Sequence, residues 1–220
     1  MTGIALPHRT VLSDSVYEAV KALIMDHTLE PDAKINIDAL TRLLEVSHTP
    51  VREALARLES DGLVIKLPLR GYSISPLLTR KEFEDLYELR LLLEPPSARR
   101  AAEAMTPEGR RALQEEMTSC EEAPSGSHYE DYKAITAHDA RLHDLIMALA
   151  GNDAIRLALE RTHSHLHLFR LHYGSPIGSR ALKEHQAIVT ALVAGDPAEA
   201  ESTMRAHLER ARDRLSAAFE

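Results

Sequence analysis

Asp139 and His143 stand four residues apart, Asp139-x-x-x-His143, in a stretch with helical periodicity. Residues at i and i+4 project from one helix face, so this spacing aims a carboxylate and an imidazole at a common point. His185 lies beside Leu182, Ile188 and Leu192, and His207 beside Met204 and Leu208. Both therefore belong to apolar faces that a helical bundle turns inward. Four such side chains meeting in a core make a site of three nitrogens and one oxygen, suited to a divalent transition metal with positions left for water or a carboxylate. The run His163-Ser164-His165-Leu166-His167 is richer in histidine. Its alternate residues point in different directions on a helix and cannot share one ion, although His163 and His167 share a face that could line a ligand pocket.

A second chemistry, recognition of nucleic acid, is written in Ser47-His48-Thr49-Pro50-Val51-Arg52 and the residues that follow to Val64. Ser47 can cap a helix, and Pro50 is tolerated in a first turn whose N–H groups have no internal partner. Val51, Leu55 and Leu58 give one apolar face, which leaves His48, Thr49 and Arg52 at the exposed amino end, able to touch bases. Gly62 ends the helix. Leu63 to Lys66 then alternates toward a β-ribbon that turns at Leu69-Arg70-Gly71-Tyr72 and returns through Ser73-Ile74-Ser75.

The elements that must position these residues follow from the same periodicities. Residues 1–12 read as a loose arm, and Val16, Val20, Leu23 and Ile24 mark a first helix from Ser13 to about His27. After the Glu30-Pro31-Asp32 turn, Asn36 or Asp38 caps a short second helix with Leu40, Leu43 and Leu44 facing inward, and Glu45-Val46 turns into the recognition helix. Pro76 closes this first domain, residues 1–76. Thr79 and Glu82 then form a capping box that opens a long helix to Ala104, with a kink or break expected at Pro95-Pro96. Further helices are predicted near 107–121, 129–149, 153–173, 178–194 and 197–218. Breaks fall at Pro124-Ser125-Gly126, Gly151-Asn152, Gly174-Ser175-Pro176 and Gly195-Asp196-Pro197. The fold class is mainly α: an N-terminal winged helix-turn-helix, then an antiparallel bundle of six helices over residues 77–220.

Composition sets the bounds. The 220 residues are 44% apolar and 27% charged, with 4% aromatics and no Trp, so the core must be built from Leu, Ala, Ile and Val. The single cysteine, Cys120, has no CxxC partner and reads as an ordinary thiol; with no signal peptide or transmembrane-length run, a cytoplasmic protein without membrane contact is expected. Net charge is −8; residues 1–76 carry eight Lys or Arg against ten Asp or Glu, and the remainder eighteen against twenty-four. Neither half is basic. DNA binding must then rest on a local face of Arg42, Arg52, Arg57, Lys66 and Arg70, with a symmetric dimer doubling the contacts. No HExxH, Gly-x-Ser-x-Gly or phosphate-cradling glycine loop points to an enzyme.

The run Ser47 to Leu55 resembles the S-R-T-P-V-R-E-A-L signature of GntR-family bacterial transcription regulators, and Arg70-Gly71 resembles their wing tip. The family usually has Arg where His48 stands and a basic residue where Asp38 stands. It also has Pro-Gly and Gly at the two turns, where this chain has Pro31-Asp32 and Glu45. Thr49, Arg52 and Gly71 match, and the resemblance implies base, phosphate and wing contacts for them. Asp139-x-x-x-His143, Glu184-His185-Gln186-x-Ile188, Gly195-Asp196 and His207 resemble the effector domain called FCD in one GntR subfamily. That resemblance implies that Asp139, His143, His185 and His207 bind the metal, with zinc the first expectation and nickel or manganese alternatives. Leu89-Arg90-x-x-Leu93-Glu94 resembles the opening helix of that domain, which implies that Arg90 points at a bound acid; a salt bridge to Glu94 is the other reading. The expected function is a homodimeric, metabolite-responsive regulator that binds a pseudo-palindromic double-stranded operator and a small carboxylic-acid effector. A metal-dependent hydrolase and a metal-sensing regulator are the alternatives.

Overall fold

In the computed structural model, which describes residues 8–120, 128–171 and 179–219, the chain divides into two compact units, Met1–Leu77 and Leu78–Glu220. The predicted breaks around Pro124 and Pro176, and the first seven residues of the expected arm, lie outside the described residues.

The first unit contains α1 (His8–Met25), β1 (Lys34–Ile35), α2 (Ile37–Leu44), α3 (His48–Ser60), β2 (Val64–Leu67) and β3 (Gly71–Ile74). Val16, Val20 and Ile24 of α1 are buried, as are Val51, Leu55 and Leu58 of α3, which packs on α1. The helix phasing read from the sequence therefore sets this core. Helix α1 starts at His8, so residues 8–12, expected in the arm, belong to it. The ribbon is a three-stranded antiparallel sheet of order β1-β3-β2, with Lys34 paired to Ser73 and Val64 to Ile74. The two-residue β1 was not anticipated, because so short an edge strand leaves no alternation to read. Asn36 caps α2 by accepting from the Ala39 N–H, but Leu43, expected inside, is exposed. An eight-residue helix has room for one inward stripe, which Leu40 fills. Ser47 occupies the cap position of α3 without a side-chain hydrogen bond there.

The second unit contains α4 (Arg80–Glu103), α5 (Pro107–Thr118), α6 (Tyr129–Leu149), α7 (Asp153–Glu160), α8 (Ser164–Arg170), α9 (Ser179–Ala194) and α10 (Pro197–Ser216), with a terminal 3-10 turn at Ala217–Phe219. The Thr79–Glu82 capping box opens α4 as the spacing predicts, with both reciprocal bonds made. Two expectations are corrected. The break expected at Pro95-Pro96 does not occur, and helix α4 runs on through both; the two ring nitrogens leave the Leu91 and Leu92 carbonyls without their helical donors, a local loss that packing of the long helix against α10 and α6 outweighs. The span 153–173 is two helices, because His163 adopts φ 46° and turns the chain between α7 and α8. Among the described residues the bundle has seven helices, not six. Its core joins Ala98 and Ala101 of α4, Leu113 of α5, Leu142 and Ile146 of α6, Ile188 and Leu192 of α9, and Met204 and Leu208 of α10. No described helix is long and apolar enough to cross a membrane.

Candidate functional site

Asp139 and His143 lie one turn apart on α6, His185 on α9 and His207 on α10. Their donor atoms all fall within 4.8 Å of one another, with the three imidazoles buried and Asp139 half-buried. One transition ion at about 2.1 Å from each donor would separate opposite donors by about 4.2 Å, close to the widest spacing in the cluster.

The second nitrogen of each ring explains how the cluster is aimed. His143 Nδ1 meets Glu94 Oε2 of α4, and His207 Nδ1 lies 2.9 Å from Glu184 Oε2 of α9. His185 Nδ1 lies 3.1 Å from His138 Nε2. Carboxylates can only accept, so the rings of His143 and His207 carry their proton on Nδ1 and turn a bare Nε2 elsewhere. The Nε2 atoms of His143 and His185 are buried without a hydrogen-bond partner, 3.9 and 3.2 Å from Asp139 Oδ1. The His143 lone pair faces a carboxylate oxygen in a dry core, which is repulsive, and a cation between them removes the conflict. The donor set therefore fits a transition metal.

The electrostatics keep the donors ready. Burial pushes His143 down to about 3 despite the Glu94 charge beside it, and burial likewise lowers His207. Both rings are neutral at neutral pH. Burial alone would raise Asp139, but His165 beside it holds its carboxyl well below the usual range. Its second oxygen, Oδ2, meets His165 Nδ1 from α8.

Arg90 is 3% exposed and ion-paired to Glu94, Nε to Oε1 at 2.5 Å, with Nη2 3.5 Å from His143 Nδ1. Of the two sequence readings, the structure displays the salt bridge. Glu94 is in turn held far below the ordinary carboxyl range: its burial is overridden by Arg90 and His143. A cavity of about 300 Å³ opens beside the cluster between α6, α7 and α8, with Glu94, His143, His163 and His165 in its wall and Ala140, Met147 and Leu166 lining it. His163 reaches this pocket from the turn between α7 and α8 rather than from a helix face shared with His167, which is not part of that wall. Sequence reasoning missed Glu184 and His138 as orienting partners and His165 as the partner of Asp139. Adjacency of Glu184 to His185 and of His138 to Asp139 was the available signal; nothing in the spacing announces His165. Cys120 is buried, and burial raises its thiol, consistent with an inert residue.

In the first unit, Arg42, His48, Thr49 and Arg52 are all exposed, as are Arg70 and Gly71 at the β2–β3 turn. His48 Nε2 sits 3.5 Å from Asp38 Oδ1. Arg57 departs from the expected basic face: its guanidinium pairs with Asp14 at 2.5 Å and lies over the Tyr17 ring, tying α3 to α1. The turns that lack the usual glycine keep the glycine conformation, with Asp32 at φ 64° and Glu45 at φ 54°.

Comparison with known proteins agrees with this division. Residues 12–74 match the bacterial regulatory proteins of the gntR family, and residues 85–210 match the FCD domain. The HTH-type transcriptional regulator LutR of Bacillus subtilis (strain 168) is 30% identical over 220 residues, covering 90% of this chain and 98% of its own. The HTH-type regulator YdhC of the same organism is 28% identical over 174 residues, covering 78% and 76%. Escherichia coli McbR/YncC shares the fold, with a TM-score of 0.69 at 20% identity over 95% of this chain and 99% of that one. These families and relatives are transcription regulators, not enzymes. A winged helix-turn-helix followed by a helical domain that gathers one aspartate and three histidines is thus matched along most of its length, and the chain belongs to the GntR family of DNA-binding transcription regulators, with an FCD-type second domain.

Proposed function

We propose that this regulator is a homodimer that holds a divalent transition metal at Asp139, His143, His185 and His207, and that a small carboxylic acid binding at the ion changes its affinity for DNA. Zinc is the first choice of metal, with nickel or manganese also compatible with a three-nitrogen, one-oxygen set. The observation that carries the reading is the pair of buried, unpartnered Nε2 atoms turned toward Asp139 Oδ1. Four protein donors leave a five- or six-coordinate ion open to an acid, and Arg90, held beside the cluster by its ion pair with Glu94, is the residue proposed to contact that acid. The acid's effect is a coupling free energy of about 1–3 kcal/mol, the usual size for such regulators.

On the DNA side, His48, Thr49 and Arg52 at the start of α3 read the major groove, Arg42 contacts phosphate, and Arg70 and Gly71 place the wing. A pair of such units reads the two halves of a pseudo-palindromic operator. That task places the protein in the cytoplasm with the chromosome.

The test is metal analysis of untagged protein, followed by calorimetric titration of small carboxylates into metal-loaded and metal-stripped samples. About one ion per chain, lost in His185→Ala, and acid binding only to the loaded form are expected. Full metal content in folded His185→Ala would sink the ligand assignment. Operator affinity that follows added metal with no acid present would instead make the ion itself the signal.

A further inference from the structure

His138 is fully buried one residue before Asp139, yet it stands outside the four-donor cluster. Its Nε2 lies 3.1 Å from His185 Nδ1, and its Nδ1 lies 2.9 Å from Glu116 Oε1 on α5. Glu116 is fixed from the other side by Arg141, whose Nε donates to Oε2 at 2.9 Å and Nη2 to Oε1 at 3.0 Å, and by the Ser119 hydroxyl at 3.0 Å. Through Nδ1, His143 and His207 meet a carboxylate directly, whereas the Nδ1 of His185 reaches one only through a second imidazole.

We propose that His138 and Glu116 are positioning residues that hold His185 in its metal-binding tautomer and so set the affinity of the centre. The proposal rests on the metal reading above. An ionised Glu116 can only accept, so His138 donates from Nδ1 and keeps a lone pair on Nε2. That lone pair accepts the proton on His185 Nδ1, which leaves His185 Nε2 bare. The competing tautomer has its proton on His185 Nε2, 3.2 Å from Asp139 Oδ1, where it can donate to the carboxylate and block an ion. The relay works against that state, and outer partners of this kind are generally worth 10–100-fold in metal affinity.

Two substitutions separate hydrogen bonding from packing. His138→Leu removes the acceptor, whereas His138→Gln restores a carbonyl oxygen near the position of Nε2. Zinc affinity is read by competition with a chromophoric chelator, and the His185 tautomer in metal-free protein by long-range 15N–1H correlation spectra. His138→Leu is expected to weaken zinc by about 10–100-fold and to move the His185 proton to Nε2; His138→Gln is expected to keep the wild-type tautomer and most of the affinity. Glu116→Ala, at a half-buried position, gives the same direction if His138→Leu does not fold. An unchanged tautomer with zinc affinity within about twofold of wild type in the folded variants, or a Gln variant as weak as the Leu variant, overturns the proposal. Absence of zinc binding by the wild type would overturn the metal reading instead, while the tautomer comparison would still decide the relay.

Discussion

A buried imidazole with one nitrogen satisfied and the other bare costs stability unless something shares the lone pair, and here three imidazoles converge on one carboxylate. The metal-stripped protein should therefore be acid-sensitive in a defined window. His143 titrates near 3 in the folded chain against an ordinary 6.5, because it is buried, so between those values the unfolded chain binds a proton that the folded one refuses. Stability present above pH 6.5 falls as pH drops toward 3, and His207 shifts in the same direction. Thermal melts of stripped protein should lose about 5 °C or more between pH 7 and pH 5. A flat melting temperature across that interval would mean that these rings are not buried neutral. The four donors were legible because helical spacing and apolar neighbours mark an inward residue, and the resemblance to the FCD domain then picked out this set among the twelve histidines. Their orienting partners were harder to read, since Glu94, Glu184 and His138 reach rings on other helices, and adjacency to a donor is the one local trace that Glu184 and His138 leave. His165 was hidden further, because the turn at His163 swings α8 away from the direction a continuous helix would take.

Helix boundaries followed local chemistry closely where a cap was present, as at Asn36, Thr79, Asn152 and Asp196, each accepting from a first-turn N–H. They failed where tertiary packing overrode a local signal, as at Pro95-Pro96, or where a left-handed residue other than glycine made the turn. Glu45 is the instructive case. It closes α2 at φ 54° with its N–H bonded to the Thr41 carbonyl, a conformation that costs a residue with a Cβ about 1–2 kcal/mol. Glu45→Gly should raise the stability of the DNA-binding unit by about 1 kcal/mol, somewhat less than the strain because glycine also loosens the unfolded chain. Chemical denaturation checks the sign. Loss of stability would show that the Glu45 side chain contributes more than its backbone strains.

At the scale of the whole molecule, a chain of net charge −8 that binds DNA must concentrate its cations on one small face. With Arg57 committed to Asp14, the exposed Arg42, Arg52, Lys66 and Arg70 are the residues we propose for that face. Operator binding by a dimer should weaken by about 10³-fold or more between 50 and 200 mM salt if both units engage their phosphates, as anisotropy titrations can measure. Arg52→Ala should abolish operator binding with no change in melting temperature, since its side chain is exposed. Wild-type affinity in that variant would remove Arg52 from the interface. Helix α4 carries a last consequence. It is a strut about 36 Å long, and its two prolines delete two successive rungs of the backbone ladder immediately around Glu94, the residue that grips both Arg90 and His143. A beam with missing rungs flexes there first, so the compliance of the strut is concentrated at the point where it touches the cluster.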